Sequence, residues 1–263
     1  MRFVRSVAIA AAVGCATILH SGAVAAQSDF SWNGTVAAGD AIEIKGVNGA
    51  IVGVGASGSE VRVTASKVEG RRGSADDVRI EVVRHDGGVT ICAVYVDDRQ
   101  RNECAPGRGG RLGARNNDTK VEFRVEVPRG VNFHAQSVNG KVSARGLTGE
   151  VRAQTVNGGV QVETAGLARA STVNGSIEVV MNRADWNGEL EFETVNGSIE
   201  VAIGSDNVNA DVRASTVNGS ISTDWPLTVQ GRFGPKHLNG TIGSGGRTLA
   251  LSTVNGSISL VKR

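Results

Sequence analysis

Aromatic residues make up only 4% of this 263-residue chain, so its interior cannot be organised around large rings. Thin layers of Val, Ile, Ala and Thr must do that work. Beyond residue 26 the histidines are His85, His134 and His237, far apart and without the spacing of metal ligands, which argues against a metal centre. No later run approaches the ~20 apolar residues that cross a membrane as a helix. Charge of one sign is also missing. The first 26 residues hold Arg2 and Arg5 and no acid, so 26 basic residues balance 26 acidic ones in the rest of the chain. A nucleic-acid binder needs a basic excess to displace counterions, and that class is therefore excluded. Heptads, helical stripes and catalytic signatures are absent as well, so the sequence implies no cofactor and no enzyme.

The chain opens with Arg2 and Arg5, an apolar run from Val7 to Leu19 and small residues at Ala23–Ala26. That is the pattern of a secretory signal peptide (1–26) cleaved after Ala25 or Ala26. Lipidation at Cys15, in "AVGC", is the competing reading. The apolar run continues past Cys15, and Ala stands three places before it, which favours simple cleavage. An exported protein in the periplasm, outer envelope or extracellular space is expected. Cys92 and Cys104 then remain, and two cysteines in such a chain most simply form one disulfide. Closing a loop of that length contributes about 3 kcal/mol on chain-entropy grounds.

Glycine is abundant, at 36 residues. Residues 27–130 form a β-strand region. "VRIEVV", "VTICAVYV" and "KVEFRVEV" alternate with period two, and "HDGG" from His85 supplies a turn between the first two. Between the second and third lies an Arg/Gly-rich loop (97–118), for which a solvated segment is the ordinary reading.

Residues 131–263 repeat one phrase. "TVNGSIEV" occurs from Thr172 and again from Thr194, with close copies around Asn139, Asn157, Asn218, Asn239 and Asn255 and an early one at Asn48. The copies recur every 16–22 residues, each as strand, Asn-Gly corner, strand and connector. That period points to a β-solenoid, all-β and elongated and continuous with the N-terminal region, whose equal positions lie one above another. Asn139, Asn157, Asn174, Asn196, Asn218, Asn239 and Asn255 are expected to form a ladder. Asn and Gly also suit corners that need positive φ. The threonine before each corner should bond a corner backbone group. Asn-Gly between alternating strands is equally a hairpin signal, so an antiparallel meander or sandwich is the alternative fold.

The repeats, with "GVTICAVYV" followed by a second cysteine and "VEFRVEVPRGVNF", resemble the bacterial putative-adhesin family with β-strand repeats, a domain of unknown function. The resemblance spans about Phe30 to Leu260. It implies an exported β-solenoid or β-roll and brings no catalytic motif.

Candidate chemistry is sparse. Glu178 and Glu200 occupy equivalent outward positions and are the carboxylates to weigh for a carbohydrate-active enzyme, which needs two acids ~5–9.5 Å apart. "SDNVNAD" (205–211) offers oxygen ligands without calcium-loop spacing. Arg99, Arg101, Arg108, Arg111 and Arg115 could hold an anionic glycan, lipid headgroup or acidic partner. Trp186 and Trp225, in the longer connectors, could stack on sugars or cover an apolar edge. The function expected is a non-enzymatic, adhesin-like or envelope-associated binding or scaffold module. Its partner would be an envelope glycan or protein. A carbohydrate-active enzyme and a structural element that self-associates through its end coils are the alternatives.

Overall fold

The computed structural model describes residues 29–99, 101–205, 207–230 and 234–263. The signal peptide, its cleavage site and Cys15 lie outside the described residues. Among those described, no helix is long and apolar enough to cross a membrane.

The chain starts with β1 (Phe30–Gly34), makes one coil from β2 (Ala41–Lys45) and β3 (Ile51–Gly55), then leaves it as β4 (Val61–Val68). A 3-10 turn (Ala75–Asp77) leads into β5 (Val78–His85) and β6 (Gly88–Tyr95), and β7 (Lys120–Val127) follows the Arg/Gly-rich loop. Four coils come next: β8 (Asn132–Gln136) with β9 (Val142–Leu147), then β10 (Val151–Gln154) with β11 (Val160–Thr164). The third and fourth are β12 (Ala168–Ser171) with β13 (Ile177–Met181) and β14 (Glu189–Glu193) with β15 (Ile199–Ile203). The remaining strands are β16 (Ala210–Asn218), β17 (Ile221–Thr223), β18 (Val229–Gln230), β19 (Lys236–Ile242), β20 (Thr248–Asn255) and β21 (Ile258–Lys262).

These strands form two large, mostly parallel sheets. The first is ordered β1-β4-β7-β3-β9-β11-β13-β15-β21-β17, and the second β18-β19-β16-β20-β14-β12-β10-β8-β2-β6-β5. The repeat strands other than β19 pair in parallel, so the Asn-Gly at Asn48, Asn139, Asn157, Asn174, Asn196, Asn218 and Asn255 marks a corner between sheets and not the tip of a hairpin. The period-two pattern turns one side chain in two towards the space between the sheets. Val142, Val160, Ile177, Ile199 and Ile258 make one buried row of the first sheet. Phe133, Val151 and Ala168 face them from the second, as do Leu190, Leu249 and Val212 further along. Size is matched across the layer. Gly53 leaves the space that the Phe133 ring occupies, since a Cβ there would lie 2.6 Å from it.

The corner is where stacking is tightest. Asn139 Nδ2 donates to Asn48 Oδ1 (2.9 Å), Asn157 to Asn139 (2.8 Å), Asn174 to Asn157 (2.8 Å) and Asn196 to Asn174 (2.8 Å). Asn255 then donates to Asn196 (2.7 Å) and Asn218 to Asn255 (2.8 Å). Each threonine hydroxyl reaches a corner carbonyl of the neighbouring coil, as in Thr155 to Gly140 O and Thr172 to Gly158 O, both 2.9 Å.

The corner glycines have a different purpose from the one expected. Only Gly49 among them has positive φ (117°). The others are required by close approach. A Cβ on Gly158, Gly175, Gly197 or Gly256 would lie 2.0–2.2 Å from the carbonyl oxygen of the corner glycine beside it. The valine of each Thr-Val-Asn-Gly phrase turns outward, so Val156, Val173, Val195, Val217 and Val254 stay 37–42% exposed, whereas Val47 of the first copy is buried.

Two features depart from a simple pile of repeats. Asn239 is not in the ladder: its copy runs straight through β19, antiparallel to β16, with Asn239 opposite Arg213. An antiparallel strand has no corner at that point, and β19 caps the parallel edge instead. The last coil, β20–β21, also does not extend the stack. It sits between β14–β15 and β16–β17. The first coil, β2–β3, is likewise flanked by β6–β7 and β8–β9. Thus the first and the last coil each lie one coil inside the stack. Antiparallel additions (β1 with β4, β5, and β18 with β19) cover the coils beyond them, except at the three-residue β17, and so blunt edges that would otherwise recruit another chain.

Gly175→Ala should destabilise the protein by about 1–3 kcal/mol, because backbone must move to admit the methyl group. Asn174→Ala should cost about 1–2 kcal/mol through two lost amide bonds. Gly58, whose Cβ would meet nothing within 4 Å, is the control, and Gly58→Ala should change stability by less than about 0.5 kcal/mol. Urea midpoints check all three.

Candidate functional site

The outer face of the second sheet carries polar side chains at the alternate positions, and parallel register sets them in rows across the strands. One row runs Glu43, His134, Arg152, Arg169. The next, two residues along each strand, runs Lys45, Gln136, Gln154, Ser171, Glu193.

Over the start of both rows lies the Arg/Gly-rich loop, which is docked and not a free solvated segment. Lys45 is buried, and its Nζ donates to the carbonyl oxygens of Ala105 (2.6 Å), Gly107 (2.5 Å) and Gly109 (3.2 Å). Burial pulls the Lys45 pKa below that of an ordinary lysine, and the Glu43 carboxylate opposes this. Glu43 Oε2 accepts from Gly107 N (3.0 Å) and from Thr90 Oγ1 (2.8 Å), and Oε1 accepts from Gln136 Nε2 (3.4 Å). The Cys92–Cys104 disulfide, with Cα atoms 5.7 Å apart, fastens the loop one strand further on, where Cys92 pairs with Lys45. Asn102 Nδ2 donates to Tyr95 O (2.7 Å) and Gly113 O (2.8 Å), which tightens the return.

Between this loop and β14 the face forms a groove of about 420 Å³ lined by Glu43, Gly107, Arg108, His134, Gln136, Arg152, Gln154, Arg169, Ser171, Glu191 and Glu193. Its charges are sorted along its length. At one end stand the Arg108 and Arg152 guanidinium groups, with Glu43 tied down beneath the loop and His134 beside it, and at the other Glu191 and Glu193. Glu150, at the start of the β10 turn, accepts Arg152 Nε (2.9 Å) and Arg169 Nε (3.3 Å) on the same oxygen. Burial pushes the Glu150 pKa up, but the two guanidinium groups outweigh it and hold the carboxyl below its ordinary range. His134 is pushed down by burial first and by Arg152 second, against the pull of Glu43 and Glu150.

The residues expected from sequence are dispersed. Of the five loop arginines, Arg108 alone lines the groove, while Arg99, Arg101, Arg111 and Arg115 are exposed elsewhere on the loop. Trp186 is no surface platform: it is 1% exposed, and its Nε1 donates to Thr248 O (3.0 Å), sealing the stack beneath its connector. Trp225 is partly buried against the core. Glu178 and Glu200 do pair in register, but on the first sheet and away from the groove, with Glu178 accepting from Gln161 Nε2 (2.9 Å). Asn209 and Asp211 use their oxygens to hold the turn at 243–246. Among the described residues, no three His, Cys, Asp or Glu side chains are grouped to hold a metal ion. Glu43, Lys45, His134, Arg152, Arg169, Glu191 and Glu193 were not recognisable as one site. Their only sequence signal is that Arg152 and Arg169 hold the same outward place in successive repeats.

Replacing Lys45 by Met keeps the stem and removes the three donors. Lys45→Met should cost about 2–3 kcal/mol and raise amide hydrogen exchange at 105–110 while the repeat strands stay protected. Unchanged exchange in the loop would contradict this anchoring.

Comparison with known proteins gives three findings. No curated protein matches the chain. Two solved structures are similar at 12% identity: a putative cell adhesion protein from Clostridium sporogenes and a putative adhesin from Bacteroides fragilis. The first has a TM-score of 0.43 and covers 89% of this chain and 99% of its own. The second has a TM-score of 0.38 and covers 88% and 96%. Residues 114–261, more than half of the chain, match a family model that spans the end of the docked loop, β7 and the coils from β8 onward, and the protein therefore belongs to the Toastrack DUF4097 family.

Proposed function

We propose that this protein is an exported, non-enzymatic binding or scaffold module of the cell envelope. The observation that carries the reading is the groove itself. It is a preformed polar surface on a rigid stack, and its most enclosed carboxylate, Glu43, is already occupied by Thr90, Gly107 and Gln136. A group so committed is a structural anchor, with its oxygens turned to the protein and not to a ligand. Export rests on the signal-like first 26 residues, and a disulfide suits an oxidising compartment. Glu178 and Glu200 lie on an open sheet face, where two carboxylates have no cleft in which to straddle a glycosidic bond.

The test is a titration of the purified mature protein against soluble envelope glycans and purified envelope proteins, with product analysis on the same samples. Saturable binding that leaves the ligand chemically intact, and is unchanged in Glu178→Gln and Glu200→Gln, is the expected result. Ligand cleavage, or no saturable binding to any member of the panel, would overturn the reading.

A further inference from the structure

We propose that the groove of the second sheet recognises an extended peptide segment carrying a carboxylate and, three to four residues further along, an ammonium group. The inference rests on the binding-module reading and specifies its site and ligand. Neighbouring strands of a sheet lie about 4.8 Å apart. From Arg152 on β10 to Glu193 on β14 is two such steps across and two residues along the strands, about 12 Å, and from His134 on β8 to Glu191 three steps, about 14 Å. An extended peptide advances about 3.3 Å per residue, so these spans correspond to three or four residues.

The groups at each end have hydrogen-bonding capacity to offer. Arg152 uses only Nε on Glu150, and among the described residues its terminal nitrogens bond to nothing. Arg108 reaches in from the docked loop and likewise makes no hydrogen bond with a described residue. Two guanidinium groups at one end form a fork that fits a carboxylate through paired N–H donors. At the other end the Glu191 and Glu193 carboxylates project from alternate positions of β14, again without a described partner, and can share an ammonium. Arg169 separates the two ends, held by Glu150 and by Glu189 O.

The lining excludes the main competitor. No Trp, Tyr or Phe side chain lines the groove, so a sugar ring has no stacking platform there. A polyanionic chain would meet Glu191 and Glu193 at like charge. A volume of about 420 Å³ is within the usual range for a small-ligand site. The loop wall is preformed by Lys45 and the disulfide, so little ordering entropy is left to oppose binding.

The probe is an acetylated, amidated four-residue peptide with aspartate at one end, lysine at the other and alanine between. Binding is read by amide chemical-shift changes in the mature protein. Saturable shifts confined to β8–β14 and the 105–110 loop are expected. Asparagine for the probe's aspartate, or Arg152→Gln in the protein, should weaken binding tenfold or more. Glu193→Lys should abolish the preference for the lysine-bearing probe and favour one with aspartate at both ends. Arg152→Gln should keep the wild-type unfolding midpoint within a few degrees, because its pair with Glu150 is partly exposed. Should the protein bind an envelope glycan or protein saturably while Arg152→Gln and Glu193→Lys leave that binding intact and the probe produces no shifts, the groove assignment fails and the binding-module reading stands. Absence of saturable binding to probe and panel alike removes both.

Discussion

Everything in this molecule depends on how closely one Asn-Gly corner can approach the next. The carbonyl of each corner glycine occupies the place where the neighbouring glycine would carry a Cβ. With no methyl there, backbone amides bond from corner to corner, as Gly158 N does to Asn174 O (3.0 Å) and Gly175 N to Asn196 O (2.9 Å). The asparagine amides run head to tail in one direction alongside, and the threonine hydroxyls close the ladder from inside. Such chains of bonds polarise one another, so an interrupted rung weakens its neighbours too. Repetition of the phrase is the consequence. A single geometry is tolerated at the corner, and every coil must meet it.

The same uniformity leaves the order of the coils open. "TVNGSI" at Thr172, Thr194, Thr216 and Thr253 presents identical pairing surfaces, so local energetics hardly distinguish one neighbour from another. Chain connection and end-capping decide instead. The excursion through β18 and β19 uses up the Asn239 copy as an antiparallel cap, and the last coil enters the space between β14–β15 and β16–β17. The N-terminal coil is enclosed in the same fashion by β6–β7. Antiparallel chain therefore closes both ends of the second sheet and the β1 end of the first, and the remaining edge is the three-residue β17, which limits the exposed edge of a self-complementary scaffold.

The uniform scaffold becomes specific where an irregular segment meets it. The loop between β6 and β7 crosses the outer face of the second sheet and is held by a buried lysine, a buried carboxylate and a disulfide within one or two strands of each other. Rows of outward side chains that would otherwise be an open, solvated surface become the floor of a groove. Arg108 completes its basic end, and β14 supplies the acidic one.

What the sequence by itself determined was whatever repeats or alternates. The all-β class, the parity of inward and outward residues, the corner residues and the threonine bonds follow from local spacing, and the partnership of two cysteines from their number in a chain that opens like an exported one. The need for glycine at the corners was legible, but its cause was not. Positive φ is a property of one residue, whereas collision with the next coil exists only once coils are stacked. Tertiary structure alone decided the coil order, the removal of Asn239 from the ladder and the burial of Trp186. It also decided the groove, because Lys45 sits in an ordinary-looking strand about sixty residues from the carbonyls it holds. Pairings over that distance depend on register and on the path of a loop, neither of which leaves a periodic trace in the sequence.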